Sequence, residues 1–393
     1  MAPTVTTGPA AGADAPAAGV RVRDLTVAFA TRDGELPAVS HVSLDLAPGQ
    51  ITGLLGESGS GKSTLALTLL NAVPRPGRVT SGSVEIDGVG DVLALPAAQL
   101  RRVRGAEIGY VFQASQNSLN PLKPVGKQLL DLGRSHGERD LRGLLRRARA
   151  LIEDMGLDSG RVLASYQHEL SGGMRQRVGI VFALVLNAHV LILDEPTTAL
   201  DMLSQAAVLA IIKKVHATRH LTTLIISHDV GVIGELADRT AVMYAGRVVE
   251  EGPTESLLAD PRHPYTRGLL AAMPRITGDL DQARPLPGRP PDLTTIPKQG
   301  CVFRERCPLA MPVCAASEPP ETVVSSELPE TVVSSLNAAR GAVADPAGPD
   351  SIAPDGGGPD GVPDSGGRDG GGPGLVAETG RRAACYALTE ERS

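Results

Sequence analysis

The chain has 393 residues, of which 42% are hydrophobic, and a formal net charge of −6 at pH 7. This length and apolar content allow two or three domains and a substantial buried core. Aromatic residues make up only 2% and tryptophan is absent, which argues against a protein that stacks single-stranded nucleic acid on aromatic rings. Because the net charge is negative and no long basic run occurs, we expect no nucleic-acid partner.

The sequence predicts neither a secretory signal nor a membrane-spanning helix. Residues 1–19 are rich in Ala, Pro, Thr and Gly without Lys or Arg, and we predict a disordered leader there. The longest apolar run, residues 178–186, is about half of the roughly 18 residues that a spanning helix needs. We therefore expect a cytosolic protein, or one that other proteins hold on a membrane.

The strongest functional signal is the segment LLGESGSGKSTL at residues 54–65. It matches the phosphate-loop pattern G-x-x-x-x-G-K-[ST], with an apolar strand candidate before it and a helical run after it. Such a loop directs backbone N–H groups, a helix N-terminus and a lysine at phosphate groups. The residues expected to bind the nucleotide are Gly56, Ser58, Gly59, Ser60, Gly61, Lys62, Ser63 and Thr64. We also expect the Ser63 hydroxyl to be a ligand of Mg²⁺.

Strand candidates separated by helical stretches indicate a buried parallel sheet. Residues 190–196 run into Asp194-Glu195, and residues 222–229 run into Ser227-His228-Asp229. The helical stretch 205–215 lies between them, and a further strand candidate ends at Gln113. Alternating apolar runs and helices of this kind are typical of α/β proteins.

Residues 114–170 have a different character. Apolar side chains recur at helical spacing from Leu141 to Met155, and Gly156 ends the run. Arginines occupy the opposite face; we interpret them as a solvated surface, with a phosphate-binding face as the alternative. We predict a small helical subdomain inserted in the sheet.

The C-terminal part is rich in Pro and carries all four cysteines. The segment PETVVSS occurs twice, at residues 320–326 and 329–335, and residues 338–382 are rich in Gly, Pro and Asp. Such a composition does not support a packed core, so we predict a low-complexity insertion. In a reducing compartment the cysteines indicate metal binding rather than disulfides.

A second motif, LSGGMRQR at residues 170–177, completes a recognisable set. Together with the phosphate loop, Gln113, Asp194-Glu195 and His228, it resembles the motifs of ATP-binding-cassette ATPases over roughly residues 20–320. Further stretches resemble the ATPases of oligopeptide, dipeptide and nickel importers: SLNP (118–121), YQHELSGGMRQR (166–177), HPYTRGLL (263–270) and GCVFRERCP (300–308). The resemblance implies an α/β P-loop ATP-binding-cassette fold with a mixed sheet core, an inserted helical subdomain and a short cysteine-bearing C-terminal extension.

The resemblance also implies roles for single residues. Phe29 would stack on adenine, although a core position on its strand is the alternative. Asp194 would join Ser63 at Mg²⁺, and Glu195 would accept a proton from the attacking water. His228 would contact the γ-phosphate and orient the water, and Gln113 would bind Mg²⁺ or the water. Asp201 would couple two sites across a dimer.

Ser171, Gly172 and Gly173 would act in trans, by capping the γ-phosphate on a partner's phosphate loop. Since the chain contains one phosphate loop and one such signature, a second cassette, identical or paralogous, is implied. The resemblance further implies two membrane-spanning permease subunits, an external solute-binding protein and a peripheral location on the cytoplasmic face of the plasma (inner) membrane. The cargo would be a peptide or a related small solute, nickel included.

Similar C-terminal regions carry four cysteines that bind a [4Fe-4S] cluster. Here Cys301, Cys307 and Cys314 are separated by five and six residues, but Cys385 lies 71 positions beyond Cys314. Stretching the last loop from about 20 to about 70 residues costs only about 1 kcal/mol of closure entropy. We therefore expect Cys385 to fold back and complete a four-cysteine site, with Zn²⁺ as the alternative metal and unligated thiols as the remaining one.

The predicted organisation follows from these signals. It comprises a disordered leader (1–19), a cassette (20–275) with its helical subdomain (114–170), a cysteine-bearing extension (276–320), a low-complexity insertion (321–382) and a tail (383–393). The rival function is a soluble cassette ATPase acting on ribosomes or DNA, but such chains usually carry two cassettes or a coiled-coil insertion. A non-hydrolysing binding module is disfavoured because Glu195 and His228 are both present.

Overall fold

The computed structural model describes residues 17–32, 34–113, 118–198, 200–272, 286–324, 380–385 and 387. The strands are β1 (Val20–Thr31), β2 (Gly34–Leu46), β3 (Ile51–Leu55), β4 (Gly77–Ile86), β5 (Gly90–Asp91), β6 (Ile108–Val111), β7 (Val190–Asp194), β8 (Thr222–Ser227), β9 (Arg239–Tyr244), β10 (Arg247–Pro253), β11 (Glu321–Val324) and β12 (Arg381–Ala384). The helices are α1 (Lys62–Thr68), α2 (Ala97–Ala106), α3 (Val125–Ser135), α4 (Leu141–Asp154), α5 (Ser159–Ala164), α6 (Gly172–Leu184), α7 (Met202–Arg219), α8 (Val230–Leu236), α9 (Thr254–Ala259), α10 (Pro264–Ala271) and α11 (Val313–Ala316). Most of the predicted leader lies outside the described residues.

The larger sheet has eight strands in the order β11-β12-β10-β9-β3-β8-β7-β6. Five neighbours in it, β9, β3, β8, β7 and β6, are parallel. Every residue of β3, β7 and β8 is buried, which explains why these strands are continuous apolar runs rather than alternating ones. The predicted parallel sheet is thus confirmed, and β9 and β10 form a hairpin, with Tyr244 paired to Arg247.

Both faces of this sheet are covered, so successive strand residues enter different cores. Leu54 packs in the cluster formed with the smaller sheet and α1, whereas Leu55 packs in the cluster formed with the helices of the other face. The smaller sheet is antiparallel, in the order β2-β1-β4-β5. The mixed α/β architecture therefore holds β3 rigidly, and the phosphate loop begins where β3 ends.

Helices α3, α4 and α5 fill the chain between β6 and α6, in the region predicted as a helical subdomain. Helix α4 begins after Asp140, whose carboxylate accepts a hydrogen bond of 2.8 Å from the Gly143 amide. Its predicted apolar face is buried. On the other face Arg147 pairs with Glu138 at 2.7 Å and Arg146 with Asp140 at 3.3 Å, in agreement with the interpretation of this face as a surface.

The C-terminal hairpin, β11 and β12, extends the larger sheet beyond β10. Strand β12 pairs with both β10 and β11, and the last pair of the hairpin is Val324 with Arg381. The segment 321–382, which we predicted as an insertion, thus begins and ends in paired strands, while residues 325–379 lie outside the described part. Within the described ranges, no helix has both the length and the apolarity needed to cross a bilayer.

Candidate nucleotide site

The phosphate loop, residues 56–63, links β3 to α1. Gly59 and Gly61 adopt positive φ angles of 81° and 98°, which favour glycine because it lacks a Cβ. A Cβ on Gly61 would lie 2.3 Å from the carbonyl oxygen of Ala38, whereas one on Gly59 would meet open space. The loop is therefore packed against the smaller sheet on one side and open on the side where a phosphate would bind.

Lys62 lies at the centre of the loop. Its side chain is buried, and its Nζ donates hydrogen bonds of 2.8 Å to the carbonyl oxygens of Gly56 and Glu57. Burial lowers the pKa of this amine, while the nearby carboxylates of Glu195 and Asp194 oppose the shift. The lysine is thus held in the loop by carbonyl dipoles that a phosphate can replace.

Asp194 connects the loop to the end of β7. Its Oδ1 accepts a hydrogen bond of 3.2 Å from the Ser63 hydroxyl, and its Oδ2 accepts one of 2.9 Å from the Tyr110 hydroxyl. Burial raises the pKa of this carboxyl group, and these two hydrogen bonds partly offset the shift. The pKa of Tyr110 is also raised, mainly by burial and to a smaller extent by the charge of Asp194. The tyrosine therefore remains a hydrogen-bond donor at neutral pH.

The carboxylate of Glu195 contacts three polar side chains. Its carboxylate accepts hydrogen bonds from Gln113 Nε2 (2.8 Å) and Thr198 Oγ1 (2.9 Å), and it lies 3.0 Å from His228 Nδ1. Its φ of 48° turns the side chain out of the strand direction. Burial would raise the pKa of Glu195, but the hydrogen bonds from His228 and Thr198 outweigh it and lower the pKa below its usual value. The structure therefore brings Gln113, Glu195 and His228 together.

The signature Ser171-Gly172-Gly173 lies at the start of α6. Ser171 is exposed, and its hydroxyl accepts a hydrogen bond of 3.3 Å from the Met174 amide. Asp201 caps α7 in the same way, through Ser204. A Cβ on Gly173 would lie 3.7 Å from Ser204, so the signature and the start of α7 are neighbours on one surface.

Phe29 lies on β1, half-buried, with its ring against Gly77 of β4. This packing accounts for part of the ring, and the remainder is accessible. Both interpretations of Phe29, as a core aromatic and as an adenine platform, are compatible with this position.

The cysteines lie where the C-terminal hairpin meets the preceding extension. The Cys301 amide donates a hydrogen bond of 2.8 Å to the Cys314 carbonyl oxygen, and Cys385 follows β12 directly. Burial raises the pKa of the Cys307 thiol to about 11, and the charges of Cys385, Cys301 and Cys314 act in the same direction. All four are free. Among the described residues no three His, Cys, Asp or Glu side chains are grouped so as to hold a metal ion, so the structure does not support the predicted iron–sulfur or zinc site.

Sequence reasoning missed three partners of the site: Tyr110, Thr198 and Arg306. Tyr110 lies on β6, three residues before Gln113, and β6 pairs with β7. A prediction that these two strands are neighbours could therefore have placed Tyr110 near Asp194. Thr198 is three residues after Glu195, within reach of a local turn. No local pattern identifies Arg306, which contacts Glu57 of the phosphate loop from a position 249 residues away.

The donor set fits a magnesium–nucleotide complex. Ser63 and Asp194 offer hard oxygen ligands, which Mg²⁺ prefers, and Gln113 lies beside Glu195 within the same cluster. The open face of the loop, the helix N-terminus of α1 and Lys62 provide the positive field that a polyphosphate requires.

Comparisons with known proteins agree with this geometry. Residues 39–198 match the family model described as ABC transporter, and residues 249–314 match that of the oligopeptide/dipeptide transporter C-terminal region. Among solved structures, the dimeric structure of a bacterial ABC transporter cassette aligns with a TM-score of 0.52 and 26% identity, covering 60% of this chain and 98% of that one. A post-hydrolysis dimer bound to ADP and Pi aligns with a TM-score of 0.51 at 27% identity, with the same coverage of both chains.

Curated relatives extend the match beyond the cassette. The dipeptide transport ATP-binding protein DppD of Caldanaerobacter subterraneus is 40% identical over 301 residues, 76% of this chain and 92% of the relative. The oligopeptide transport ATP-binding protein OppD of Bacillus subtilis is 40% identical over 309 residues, 78% of this chain and 86% of the relative. With its cassette fold, its phosphate loop and its C-terminal region, the chain belongs to the ATP-binding-cassette transporter ATPases of the oligopeptide/dipeptide family.

Proposed function

We propose that the chain hydrolyses ATP to power an importer of peptides or related small solutes. The observation that carries this proposal is the cluster at the ends of β7 and β8. Asp194 there reaches Ser63 of the phosphate loop, and the next residue, Glu195, is held by Gln113, Thr198 and His228. Two relatives are a dipeptide and an oligopeptide transport ATP-binding protein, and this supports the class of cargo.

The chain's own residues divide the work of hydrolysis. Lys62 and the amides of Gly59 to Thr64 would hold the β- and γ-phosphates. Ser63, Asp194 and Gln113 would hold Mg²⁺, whose charge would offset that of the phosphates. Glu195 accepts the proton of the attacking water. Because its pKa is below the usual value, it is a carboxylate at neutral pH and ready to act as a base.

His228 orients the water and contacts the γ-phosphate. Its Nδ1 lies against Glu195, which leaves Nε2 for the phosphate. Phe29 supports the adenine through the accessible part of its ring. These assignments require a nucleotide between the phosphate loop and the ends of β7 and β8, where Ser63, Asp194 and Glu195 lie close together.

The signature Ser171-Gly172-Gly173 completes the site of a second cassette. Ser171 is exposed on the same surface as the start of α7, so both it and Asp201 are available to a partner. ATP closes the cassette pair and hydrolysis reopens it. The partner cassette is either a copy of this chain or a paralogue.

The cassette pair acts beneath two permease subunits, at the cytoplasmic face of the plasma membrane, and an external solute-binding protein delivers the cargo. Residues near 114–130 transmit the motion. Within that region Leu122 is 84% exposed, so an apolar side chain is available there for a permease contact.

The test of this function is the composition of the native complex. The affinity-tagged full-length chain is purified from detergent-solubilised membranes, and its partners are identified by mass. We expect two permease subunits and a second cassette, with ATP hydrolysis stimulated by the peptide-loaded binding protein. Recovery of ribosomal or DNA-bound partners instead of permeases would favour the soluble alternative and overturn the proposal.

For the cysteine-bearing extension we propose a metal site on Cys301, Cys307, Cys314 and Cys385, with a [4Fe-4S] cluster as first choice and Zn²⁺ as the alternative. The proposal rests on the return of β12, which pairs with β10 and ends directly before Cys385, and on the affinity of thiolates for these metals. The four thiols would have to move together on metal binding, because they are not grouped as ligands in the described conformation. The chain is purified anaerobically and analysed for iron, sulfide and zinc. A colourless protein with neither metal would remove this site and leave the ATPase proposal intact.

A further inference from the structure

The phosphate loop is tied to the cysteine-bearing extension by a partly buried ion pair, in which the arginine side chain is 6% and the glutamate side chain 21% exposed. Arg306, the residue before Cys307, donates from Nη1 to Glu57 Oε2 at 2.7 Å and from Nη2 to Glu57 Oε1 at 3.1 Å. This is the parallel two-bond geometry that makes arginine–carboxylate pairs strong and directional. Glu57 is the second residue of the phosphate loop. The loop is therefore held by a residue of the C-terminal extension, which contains none of the nucleotide-binding motifs.

Arg306 is itself fixed in place. Its Nε donates to the Pro287 carbonyl oxygen at 2.8 Å, and its guanidinium carbon lies 5.7 Å from the centre of the Tyr244 ring. Only 7% of the residue is exposed. Burial alone would lower the pKa of this guanidinium, but its hydrogen bonds and charge pairing with Glu57 hold the pKa above the ordinary value. The charge at Glu57 therefore meets a rigid and permanently ionised partner.

All polar groups of Glu57 are engaged in this arrangement. Its backbone N–H donates to the Tyr265 hydroxyl at 2.9 Å, and its carbonyl oxygen accepts from Lys62 Nζ at 2.8 Å. Tyr265 in turn packs against Tyr244 and Phe303, with ring centres 4.6 Å and 5.4 Å away. Both Phe303 and Arg306 come from the cysteine loop, residues 300–307, so one short segment supports Glu57 through an ion pair and an aromatic cluster.

We propose that Arg306 is a positioning residue for ATP binding, which keeps the phosphate loop in its open shape through Glu57. The inference rests on the proposed role of Lys62 and the loop amides. A loop with glycines at positions 56, 59 and 61 has many accessible conformations, and fixing one residue near its start reduces the ordering that the nucleotide must impose. Loss of the pair thus weakens ATP binding rather than the chemical step.

The experiment compares Arg306→Met, Glu57→Gln and the double variant in the full-length chain, with binding of ATP measured by calorimetry. Each single change is expected to raise the Kd for ATP about five- to thirtyfold, the range typical of a broken charge pair. The double variant is expected to lose no more than either single variant, because the two residues act as one unit. Arg306→Lys should restore part of the affinity.

Arg304→Met is the matched control. Arg304 lies in the same cysteine loop but donates to the Gln299 carbonyl oxygen and not to the phosphate loop, so its loss should leave the Kd unchanged. A purely structural role for Arg306 would lower the melting temperature while the Kd of the folded fraction and the KM for ATP stayed at wild-type values, and this result would overturn the inference. Additive effects of the two single changes would overturn it as well.

Lys62→Ala separates this inference from the proposed function. We expect this change to weaken ATP binding at least as strongly as Arg306→Met. If Lys62→Ala had no effect, the nucleotide site itself would be misassigned. If Lys62→Ala acted as expected and Arg306→Met did not, only the positioning role would fail.

Discussion

Two side-chain pairs that each contain a buried or half-buried glutamate differ in how accessible they are. At the end of β7, His228 Nδ1 lies 3.0 Å from Glu195, and the side chains are 60% and 15% exposed. At the other edge, Arg381 of β12 lies 2.5 Å from Glu250 of β10, and the side chains are 2% and 0% exposed. The first pair leaves room for a ligand, whereas the second is closed to solvent.

The partners of the buried pair explain why it can be tolerated. Glu250 also accepts hydrogen bonds from the backbone amides of Arg262 and His263, at 2.9 and 3.0 Å. Arg381 donates in addition to the Asp260 carbonyl oxygen. A buried carboxylate that is paired and hydrogen-bonded avoids the penalty of an isolated charge. The accessible pair is the one to which we assign a catalytic role, and the closed pair fastens the C-terminal hairpin to β10. Single changes can test that division.

The largest effect is expected from Glu195→Gln. The amide preserves the shape of the side chain but cannot accept the proton of the attacking water, so turnover should fall about 10²- to 10⁴-fold. ATP binding and the free energy of unfolding should change little, because the pair is accessible. Phosphate release by the assembled transporter gives the rate, and calorimetry gives the affinity.

Thr198→Val is the graded control for this prediction. It removes one of the hydrogen bonds to Glu195 and keeps the carboxylate, so the rate should fall much less than in Glu195→Gln. Near-normal hydrolysis in Glu195→Gln would remove Glu195 from the mechanism.

The second prediction concerns the buried pair. Arg381→Met leaves Glu250 as a buried charge without its main partner, which typically costs about 3–5 kcal/mol of unfolding free energy. Arg382, the next residue, is one-third exposed and pairs with Glu251 at 2.7 Å. Glu251 is buried but keeps a second partner in Arg239, at 3.1 Å, when Arg382 is removed. Arg382→Met should therefore cost at most about 1 kcal/mol. Urea unfolding of both variants measures the difference, and equal losses would contradict the assignment of Arg381–Glu250 as the fastening pair.

The sequence predicted the nucleotide site, at the ends of β3, β7 and β8, much better than it predicted the C-terminal hairpin beside β10. The reason is physical. A phosphate loop needs glycines and a lysine at fixed spacing in one short segment, and the carboxyl ends of parallel strands meet at one edge. The motifs around Gly56, Asp194 and His228 therefore identified the edge without knowledge of tertiary contacts. The Arg381–Glu250 pair joins residues 131 positions apart, and no local period or motif indicates such a partner.

The same limit applies within the site. The helix over residues 141–154 can be predicted from the spacing of its apolar residues, because these residues form the face that packs against the core. The roles of Tyr110 and Arg306 depend instead on which strands and loops become neighbours. The predicted insertion, residues 321–382, includes β11 for the same reason, since ETVV at residues 321–324 is a strand only because β12 returns to pair with it.

The third prediction tests the exposed signature. Ser171→Arg places a bulky cation where the partner's γ-phosphate would bind, so hydrolysis by the assembled pair should fall about 10²-fold, as for loss of a donor to a developing charge. ATP binding to the isolated chain should remain near the wild-type value. Ser135→Arg, at an exposed position at the end of α3, is the control and should leave hydrolysis unchanged. Full hydrolysis by an isolated chain that ignored Ser171→Arg would contradict action in trans.

The smallest effect concerns the connection between β11 and β12. Val324 and Arg381 are paired, so residues 325–380 link two adjacent strand ends, and a short loop could do the same. Closure entropy grows as (3/2)RT ln n, so a fourfold shorter Gly/Ser connection should stabilise the hairpin by about 1.2 kcal/mol. Urea unfolding should show this gain, and ATP affinity should stay constant because Arg306 and Glu57 are untouched. In the Arg381→Met background the shorter connection should recover only part of the lost stability, since a loop cannot replace the partner of Glu250. A loss of stability on shortening would show that residues 325–379 make stabilising contacts of their own, and the hairpin would then depend on more than its buried pair.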